Sequence, residues 1–202
     1  MLGKTHMMVG IAATLAITRP DTISGIVTAA GVGAIGSLIS DIDVGTSSSH
    51  KDANRVIMLT IIVTALAVII DFVGHLGMMQ KIMNNSGMMR IITGCAIFIA
   101  VCAFGKEQPH RSFMHSLSAL AILSFAVGLV YIPIVPYFVI GFLSHIATDI
   151  FNRRKVQLLY PLKGGVSFKL FRANGMANKL LLTAACIVTA VELILLSINI
   201  FR

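Results

Sequence analysis

Two acidic residues and a His/Asp pair stand out because they lie within or beside strongly apolar sequence. Asp41 and Asp43 are two residues apart, which puts both carboxylates on one side of a predicted extended stretch and suits paired metal ligation. His145 and Asp149 are four residues apart and share one face of a predicted helix. An ionisable pair in an apolar helix is costly unless it is paired or functional. The alternatives are solvated acids at a helix end for the first pair and a hydrogen-bonded packing pair for the second.

Two further imidazoles flank an arginine. His110 and His115 lie on either side of a predicted helix start near Ser112, with Arg111 between them. A helix start attracts anions, so this segment suits a metal site or a phosphate site. The alternative is a polar helix start at the membrane interface. His6 opens the first apolar segment and, taken alone, is typical of an interfacial histidine.

Mixed His and Asp donors of this kind suit zinc, with manganese or iron as other occupants. The candidate ligands are His6, Asp41, Asp43, His110, His115, His145 and Asp149. These are too many for one tetrahedral ion, so the sequence predicts two or three divalent ions, which could clamp the attacking and leaving oxygens of a displacement at phosphorus. In that reaction Asp41 or Asp43 would orient or deprotonate a water. Arg111 would hold the phosphoryl oxygens.

The composition predicts that a membrane bundle positions these residues. Of 202 residues, 56% are hydrophobic and 12% charged, whereas a soluble domain is about 25% charged. We therefore expect an all-α polytopic bundle that forms one integral-membrane domain over residues 1–202, with about seven transmembrane or partly spanning helices. The Gly and Ala residues of the second helix predict close helix packing. The expected segments are Thr5 to Thr18, Thr22 to Ser40, Arg55 to Met79, Met88 to Phe104, Ser112 to just before Pro133, Val135 to Phe151, and Asn178 to Phe201.

Threading the chain through seven crossings brings all the candidate ligands to one membrane face. That threading puts four of the 16 Lys and Arg residues on the opposite face, namely Arg19, Lys81, Arg90 and Arg202. The others lie on the face that carries the candidate ligands. By the positive-inside bias, the face that carries the candidate site is cytoplasmic. The net charge of +8 is spread between apolar runs, so it predicts loop charges and no nucleic-acid partner.

Two other acids and one other histidine lie within the apolar segments. Asp71 and His75 are four residues apart toward the opposite face, where they predict a mutual intramembrane pair, with a proton or substrate path as the alternative. Glu192 lies in the last segment, and its sequence context suggests no partner.

These residues resemble the YdjM-like family of inner-membrane, LexA-associated proteins regarded as metal-dependent hydrolases. The matching blocks are Thr5-His6, Ser40 to Asp43, His110 to Ser116, Gly141 to Asp149 and Leu158 to Leu162, in order over nearly the whole chain. The resemblance implies that the seven candidate ligands form the metal site and that the bacterial inner membrane is the location. The family is in turn distantly similar to zinc-dependent phospholipase C and P1 nuclease. The chain departs from the family at Ser40, where members often carry proline.

The favoured function is a membrane-embedded metal-dependent hydrolase that cleaves a phosphoester of a lipid or lipid-linked substrate at the cytoplasmic interface, with zinc as the favoured ion. One alternative is a transporter or channel for divalent metal or protons, although the candidate ligands lie near one face rather than at the midplane where transporter sites are usual. Another is a non-catalytic scaffold with a structural metal site. The sequence makes no prediction about oligomeric state.

Overall fold

The computed structural model describes residues 2–46, 50–170 and 175–201 of the chain, and side chains within these ranges except 44–46, 50–57, 59, 60, 63 and 67. Arg172 and Arg202, two cations of the threading, lie outside the described residues. The described part is all-α apart from short 3-10 turns and one isolated β-bridge. Its helices are α1 (Gly3–Thr18), α2 (Ile23–Ile39), α3 (His50–Val73), α4 (Met78–Asn85), α5 (Met88–Glu107), α6 (Leu117–Val130), α7 (Val135–Ile150) and α8 (Met176–Ile200).

Several of these helices are long and apolar enough to cross a bilayer. Four candidate spans meet that test: Ile23–Asp43, Met88–Glu107, Ile132–Ile150 and Met176–Ile200. A fifth arises if the end of α3 and the following α4 count as one bent span. Helix α6 is apolar but has only 14 residues, and α1, with 16 residues, is also too short for that test. The predicted all-α polytopic bundle is confirmed, with spanning and shorter helices side by side.

Helices α1, α2, α7 and α8 pack together in the part of the bundle that carries the candidate ligands. The backbone N–H of Leu2 donates to Asn178 Oδ1 at 3.2 Å, and farther along the two helices Leu15 and Leu196 share one buried cluster. These two contacts show that α1 and α8 run parallel and begin at the same end of the bundle. The candidate ligands lie at that end.

Small residues let α1 and α7 approach α2 closely. A Cβ atom at Gly33 would overlap the Thr14 side chain of α1, and a Cβ atom at Gly141 of α7 would overlap the Gly33 backbone. In lipid, helices associate largely through van der Waals contact, which such close approaches maximise. The close packing predicted from the Gly and Ala content of the second segment is confirmed.

The predicted third helix, Arg55 to Met79, is wrong at its C-terminal end. α3 ends at Val73, and α4 begins at Met78 after a turn. The axes of Thr64–Val73 and Met78–Asn85 differ by 101°. His75 and Gly77 have positive φ angles of 49° and 69°, which a continuing helix does not accommodate.

The expected pairing of Asp71 with His75 is also wrong. The Asp71 carboxylate accepts hydrogen bonds from the backbone N–H groups of Met78 and Met79, at 2.6 and 3.0 Å. It thereby satisfies free donors in the first turn of α4, while the His75 side chain is exposed. The acid therefore secures the helix break.

The predicted fifth helix begins later than expected. Residues Phe113–His115 form a 3-10 turn, and α6 starts at Leu117, where the Ser116 hydroxyl caps the helix by accepting from the Ala119 N–H at 3.1 Å. His115 consequently lies in a tight turn before the helix, and His110 lies in the preceding loop.

Candidate metal centre

The structure brings together all seven His and Asp side chains that the sequence singles out. They come from the start of α1, the 3-10 helix Ser40–Thr46 after α2, the loop before α6 and the last two turns of α7. Two adjoining groups have ligand atoms within 4.8 Å of one another: Asp41, Asp43, His110 and His115, and His6, His145 and Asp149. We call these seven residues the His/Asp centre. All are buried except His110, whose side chain is 18% exposed.

Four ligand atoms within the centre converge. His145 Nε2 lies 3.1 Å from His115 Nε2 and 3.5 Å from Asp41 Oδ1. His115 Nε2 lies 3.8 Å from Asp41 Oδ1 and 3.5 Å from Asp149 Oδ2. His145 Nε2 is also 3.9 Å from Asp149 Oδ2; the two residues are one helical turn apart in α7. The four atoms come from three parts of the chain, namely α7, the 3-10 helix after α2 and the turn before α6, so the packing of these parts creates the arrangement.

These separations fit a tetrahedral ion. Donors bonded to zinc at about 2.0–2.1 Å in a tetrahedron lie about 3.3 Å apart. The distances from His145 Nε2 to the other three atoms run from 3.1 to 3.9 Å, so side-chain adjustments of a few tenths of an ångström would suffice. Two imidazoles and two carboxylates also match the donor preference of zinc.

The outer nitrogens of two imidazoles have partners that turn Nε2 toward the centre. His145 Nδ1 donates to the Ser37 carbonyl at 2.6 Å, and because a carbonyl only accepts, a neutral His145 ring carries its proton on Nδ1. His115 Nδ1 lies 3.4 Å from Asp43 Oδ2. Partners on the far side of a ligating imidazole commonly orient it and set its basicity in metal sites.

Asp43 joins two imidazoles and one backbone amide. Its Oδ1 lies 2.8 Å from His110 Nδ1, and its Oδ2 accepts from the Arg111 backbone N–H at 3.1 Å. The carboxylate is fully buried. Asp43 and His110 therefore lie behind His115, on the side of the centre that reaches the surface.

His6 approaches from α1 and covers the other side of the centre. Its ring stacks on that of His145, with centroids 3.8 Å apart, and its Nε2 lies 3.5 Å from Asp149 Oδ1. His6 Nδ1 and Thr148 Oγ1 are 2.9 Å apart. Asp149 thus presents one oxygen to His6 and the other to His115.

Two residues that support the centre escaped the sequence-based prediction. Ser37 acts through its backbone carbonyl, for which no side-chain pattern exists. Thr148 had a weak signal, because it is a hydroxyl three residues after His145 in an apolar helix.

Arg111 points inward from a strained position. Its φ is +69°, a left-handed conformation that typically costs a non-glycine residue about 1–3 kcal/mol. The guanidinium is buried, with Nη2 at 3.0 Å from Asp149 Oδ2 and Nη1 donating to the Arg154 carbonyl at 2.8 Å. The sequence predicted a cation beside the metals, and the structure adds that this cation already contacts a candidate ligand.

Several buried polar atoms around the centre have no hydrogen-bond partner among the described residues. They include Thr5 Oγ1, Ser40 Oγ and Arg111 Nε, whereas His6 Nε2 and His115 Nδ1 face carboxylate oxygens of Asp149 and Asp43 at 3.5 and 3.4 Å. Leaving such an atom unsatisfied costs about 1–3 kcal/mol, so native structures rarely concentrate them in one place without a purpose. Their grouping is the pattern expected of a site that receives an ion and polar ligands.

Opposing effects act on the pKa of His115, which lies outside the candidate spans. Burial lowers this pKa, but hydrogen bonds to Asp149 and Asp43 and the charges of both carboxylates outweigh burial and raise it from 6.5 to about 10. A ring that holds its proton this tightly must release it before it can bind a metal ion.

The local backbone at Asp41 and Asp43 differs from the prediction. The two acids were expected on an extended stretch, but they lie on the 3-10 helix Ser40–Thr46 that continues α2. The tight helix keeps the chain within the bundle instead of releasing it into a loop, and both carboxylates consequently remain buried.

A cavity in the described part of the bundle lies away from the centre. Its volume is about 390 Å³, and it is bordered by the first half of α2, α4 and the 3-10 turn Ile132–Ile134, at the opposite end of the bundle. At its own end, the His/Asp centre reaches the surface at His110.

A family model described as YdjM inner membrane protein matches residues 1–200. No curated protein and no solved structure matches the chain.

Proposed function

Because this chain belongs to the YdjM inner membrane protein family and is an integral inner-membrane protein, we propose that its His/Asp centre is the active site of a metal-dependent hydrolase. The proposed reaction cleaves a phosphoester of a lipid or lipid-linked substrate at the cytoplasmic interface. The proposed cofactors are two or three divalent ions, with zinc favoured.

The observation that carries this proposal is the convergence of four ligand atoms next to a buried guanidinium. His115, His145, Asp41 and Asp149 would hold the first ion. His6 Nε2 and the second oxygen of Asp149 offer donors for another ion. A bound divalent ion supplies polarisation of a phosphoryl oxygen and activation of a water molecule.

Other functions in the reaction would fall to side chains of the centre and to Arg111. Arg111 would orient a phosphoryl group, since its guanidinium lies beside the ligand set and its Nε is free to donate. Asp41 is the better candidate to orient or deprotonate the water, because both oxygens of Asp43 already face other groups. Asp43 would then hold His115 in position.

Two further considerations support this chemistry and its location. Most of the Lys and Arg residues fall on the side of the centre in the predicted threading, which supports a cytoplasmic site. The similarity to zinc-dependent phospholipase C and P1 nuclease that the sequence resemblance implies for the family would favour a phosphoester over other hydrolysable bonds.

The test measures both metal content and substrate turnover for each purified variant. The wild type should carry two or three zinc equivalents and hydrolyse at least one substrate among phosphatidic acid, other glycerophospholipids and a generic phosphodiester. His145→Ala and Asp149→Ala should lose metal, because each removes a converging donor. Arg111→Ala should keep metal yet lose about 100-fold in turnover, the typical effect of removing a donor that stabilises transition-state charge.

The matched control is His75→Asn, which changes an exposed histidine at the far end of the bundle to a residue that tolerates its positive φ. Its metal content and turnover should equal those of the wild type. Protein that holds its metals but hydrolyses nothing across the panel would refute the enzyme, and metal flux into liposomes abolished by Asp41→Asn would indicate a transporter instead.

A further inference from the structure

The segment between α7 and α8 forms a short hairpin, residues 151–170, which we call the basic hairpin. Val156 and Val166 exchange two backbone hydrogen bonds of 2.9 Å. At the tip, the Leu162 N–H donates to the Leu159 carbonyl at 2.8 Å, and Gln157 Nε2 donates to the Leu162 carbonyl at 2.7 Å. These bonds give the hairpin a defined shape.

One face of the basic hairpin is attached to the bundle. Val156 is fully buried, and Leu158 and Tyr160 pack against the hydrophobic core. The Leu158 carbonyl accepts from the Leu117 N–H at 2.9 Å, and the Tyr160 carbonyl accepts from the Ser118 hydroxyl at 2.8 Å. The hairpin is therefore held against the start of α6 in a fixed orientation.

The other face combines exposed apolar and cationic side chains. The exposed apolar residues are Leu159, Leu162, Val166, Phe168 and Leu170, and the exposed cations are Arg153, Arg154, Lys155, Lys163 and Lys169. The sequence from Ile150 to Gly175 contains no Asp or Glu. A surface with this composition complements an anionic headgroup layer, where cations meet phosphates and apolar side chains reach the acyl boundary.

The position of the basic hairpin favours lipid over an acidic protein as its partner. It begins directly after the candidate span Ile132–Ile150, so its first residues lie at the membrane interface. It also contacts Arg111, whose guanidinium lies against Asp149 of the His/Asp centre, because the Gln157 N–H donates to the Arg111 carbonyl at 2.9 Å and Arg111 Nη1 donates to the Arg154 carbonyl. We infer that the basic hairpin is a binding surface for anionic phospholipid headgroups beside the His/Asp centre. This inference concerns binding and does not depend on hydrolysis.

The test measures binding of fluorescent phosphatidylglycerol and phosphatidylcholine to purified full-length protein in mixed detergent micelles. The double variant Lys155→Gln/Lys163→Gln should bind phosphatidylglycerol about tenfold more weakly, because each removed cation weakens the electrostatic attraction to the anionic headgroup. Its affinity should also depend less on salt. Phosphatidylcholine binding should not change.

The matched control is Lys81→Gln/Arg90→Gln, which removes two cations at the opposite end of the bundle and should leave phosphatidylglycerol binding as in the wild type. Lys169→Gln alone, with an expected loss of about threefold in phosphatidylglycerol affinity, replaces the hairpin double variant if that protein does not fold.

Equal losses of phosphatidylglycerol affinity in hairpin and control variants, or no loss in the hairpin variants, would overturn the inference. An acidic peptide that binds the hairpin while phosphatidylglycerol does not would also overturn it. The binding should be the same in metal-free protein, so it can hold even if no substrate is hydrolysed.

Discussion

The His115 ring faces carboxylates on both of its nitrogens. Its Nδ1 is turned toward Asp43 and its Nε2 toward Asp41 and Asp149. Without a metal ion, a proton on each nitrogen would balance these charges. A metal ion bound at Nε2 would replace the proton on that nitrogen, while Asp43 would still hold the proton on Nδ1.

This exchange of proton for metal predicts opposite effects of pH on two properties. The raised pKa of His115 stabilises the metal-free fold fully below about pH 6.5, and that contribution is lost as pH rises through about 10. Metal-free protein should therefore melt at a lower temperature at about pH 8.5 than at about pH 6.5. Zinc affinity should instead increase over the same interval, because binding releases a proton.

Thermal unfolding in detergent, with and without a chelator, measures both effects. The chelator should lower the melting temperature more at the higher pH. A chelator effect that is equal at both pH values would contradict the assignment of His115 as a ligand that must lose a proton.

At the scale of the elements, α2 determines where the donors on its neighbours lie. It contacts α1 and α7 through glycines, and those helices carry His6, His145 and Asp149. The 3-10 helix that continues α2 adds Asp41 and Asp43. The separation of these helices from α2 therefore sets the distances among the donors.

Gly33→Ala should consequently weaken both the fold and the metal site. The added Cβ would overlap Thr14, and such overpacking typically costs about 1–3 kcal/mol. We expect a lower melting temperature and less bound metal. The matched control is Gly128→Ala in α6, whose Cβ would meet its nearest neighbour, Val135, at 3.4 Å and should be tolerated. Wild-type metal content in Gly33→Ala would show that close packing at α2 does not set the site.

At the scale of the whole molecule, the ends of the bundle differ in chemistry. The His/Asp centre, the start of α1 and the start of α8 lie at one end. The helix break before α4 and the 390 Å³ cavity lie at the other. The basic hairpin follows the end of α7 and so adds its cations to the end that holds the centre.

This polarity predicts opposite accessibility for two positions. Lys163→Cys at the hairpin tip and Asn84→Cys near the end of α4 are each introduced after replacement of Cys95, Cys102 and Cys186 by Ala. An impermeant maleimide should label Asn84→Cys in intact spheroplasts and Lys163→Cys only after permeabilisation, as the positive-inside bias requires. Labelling of both positions under the same condition would contradict the proposed orientation.

Much of the architecture could be predicted from local sequence. Long apolar runs specify membrane helices because unsatisfied backbone groups are too costly in lipid, and the four-residue spacing of His145 and Asp149 specifies a shared helix face. The residues now found together in the His/Asp centre were also identifiable, since ionisable groups are rare in such a sequence. Local patterns did not specify the break after Val73, where His75 and Gly77 adopt positive φ and Asp71 caps the next helix.

Only the tertiary structure decides how the seven donors relate to one another. Spacing along the chain says nothing about distances between residues on different helices, such as that between His115 and His145. Packing of α7 against α2, and of the turn before α6 against the 3-10 helix after α2, brings four ligand atoms to near-tetrahedral separations and leaves Asp43 behind His115. It also turns Arg111 onto Asp149 and gives His145 the Ser37 carbonyl as its partner. These relations depend on the sum of many weak helix contacts, and no single stretch of sequence contains them.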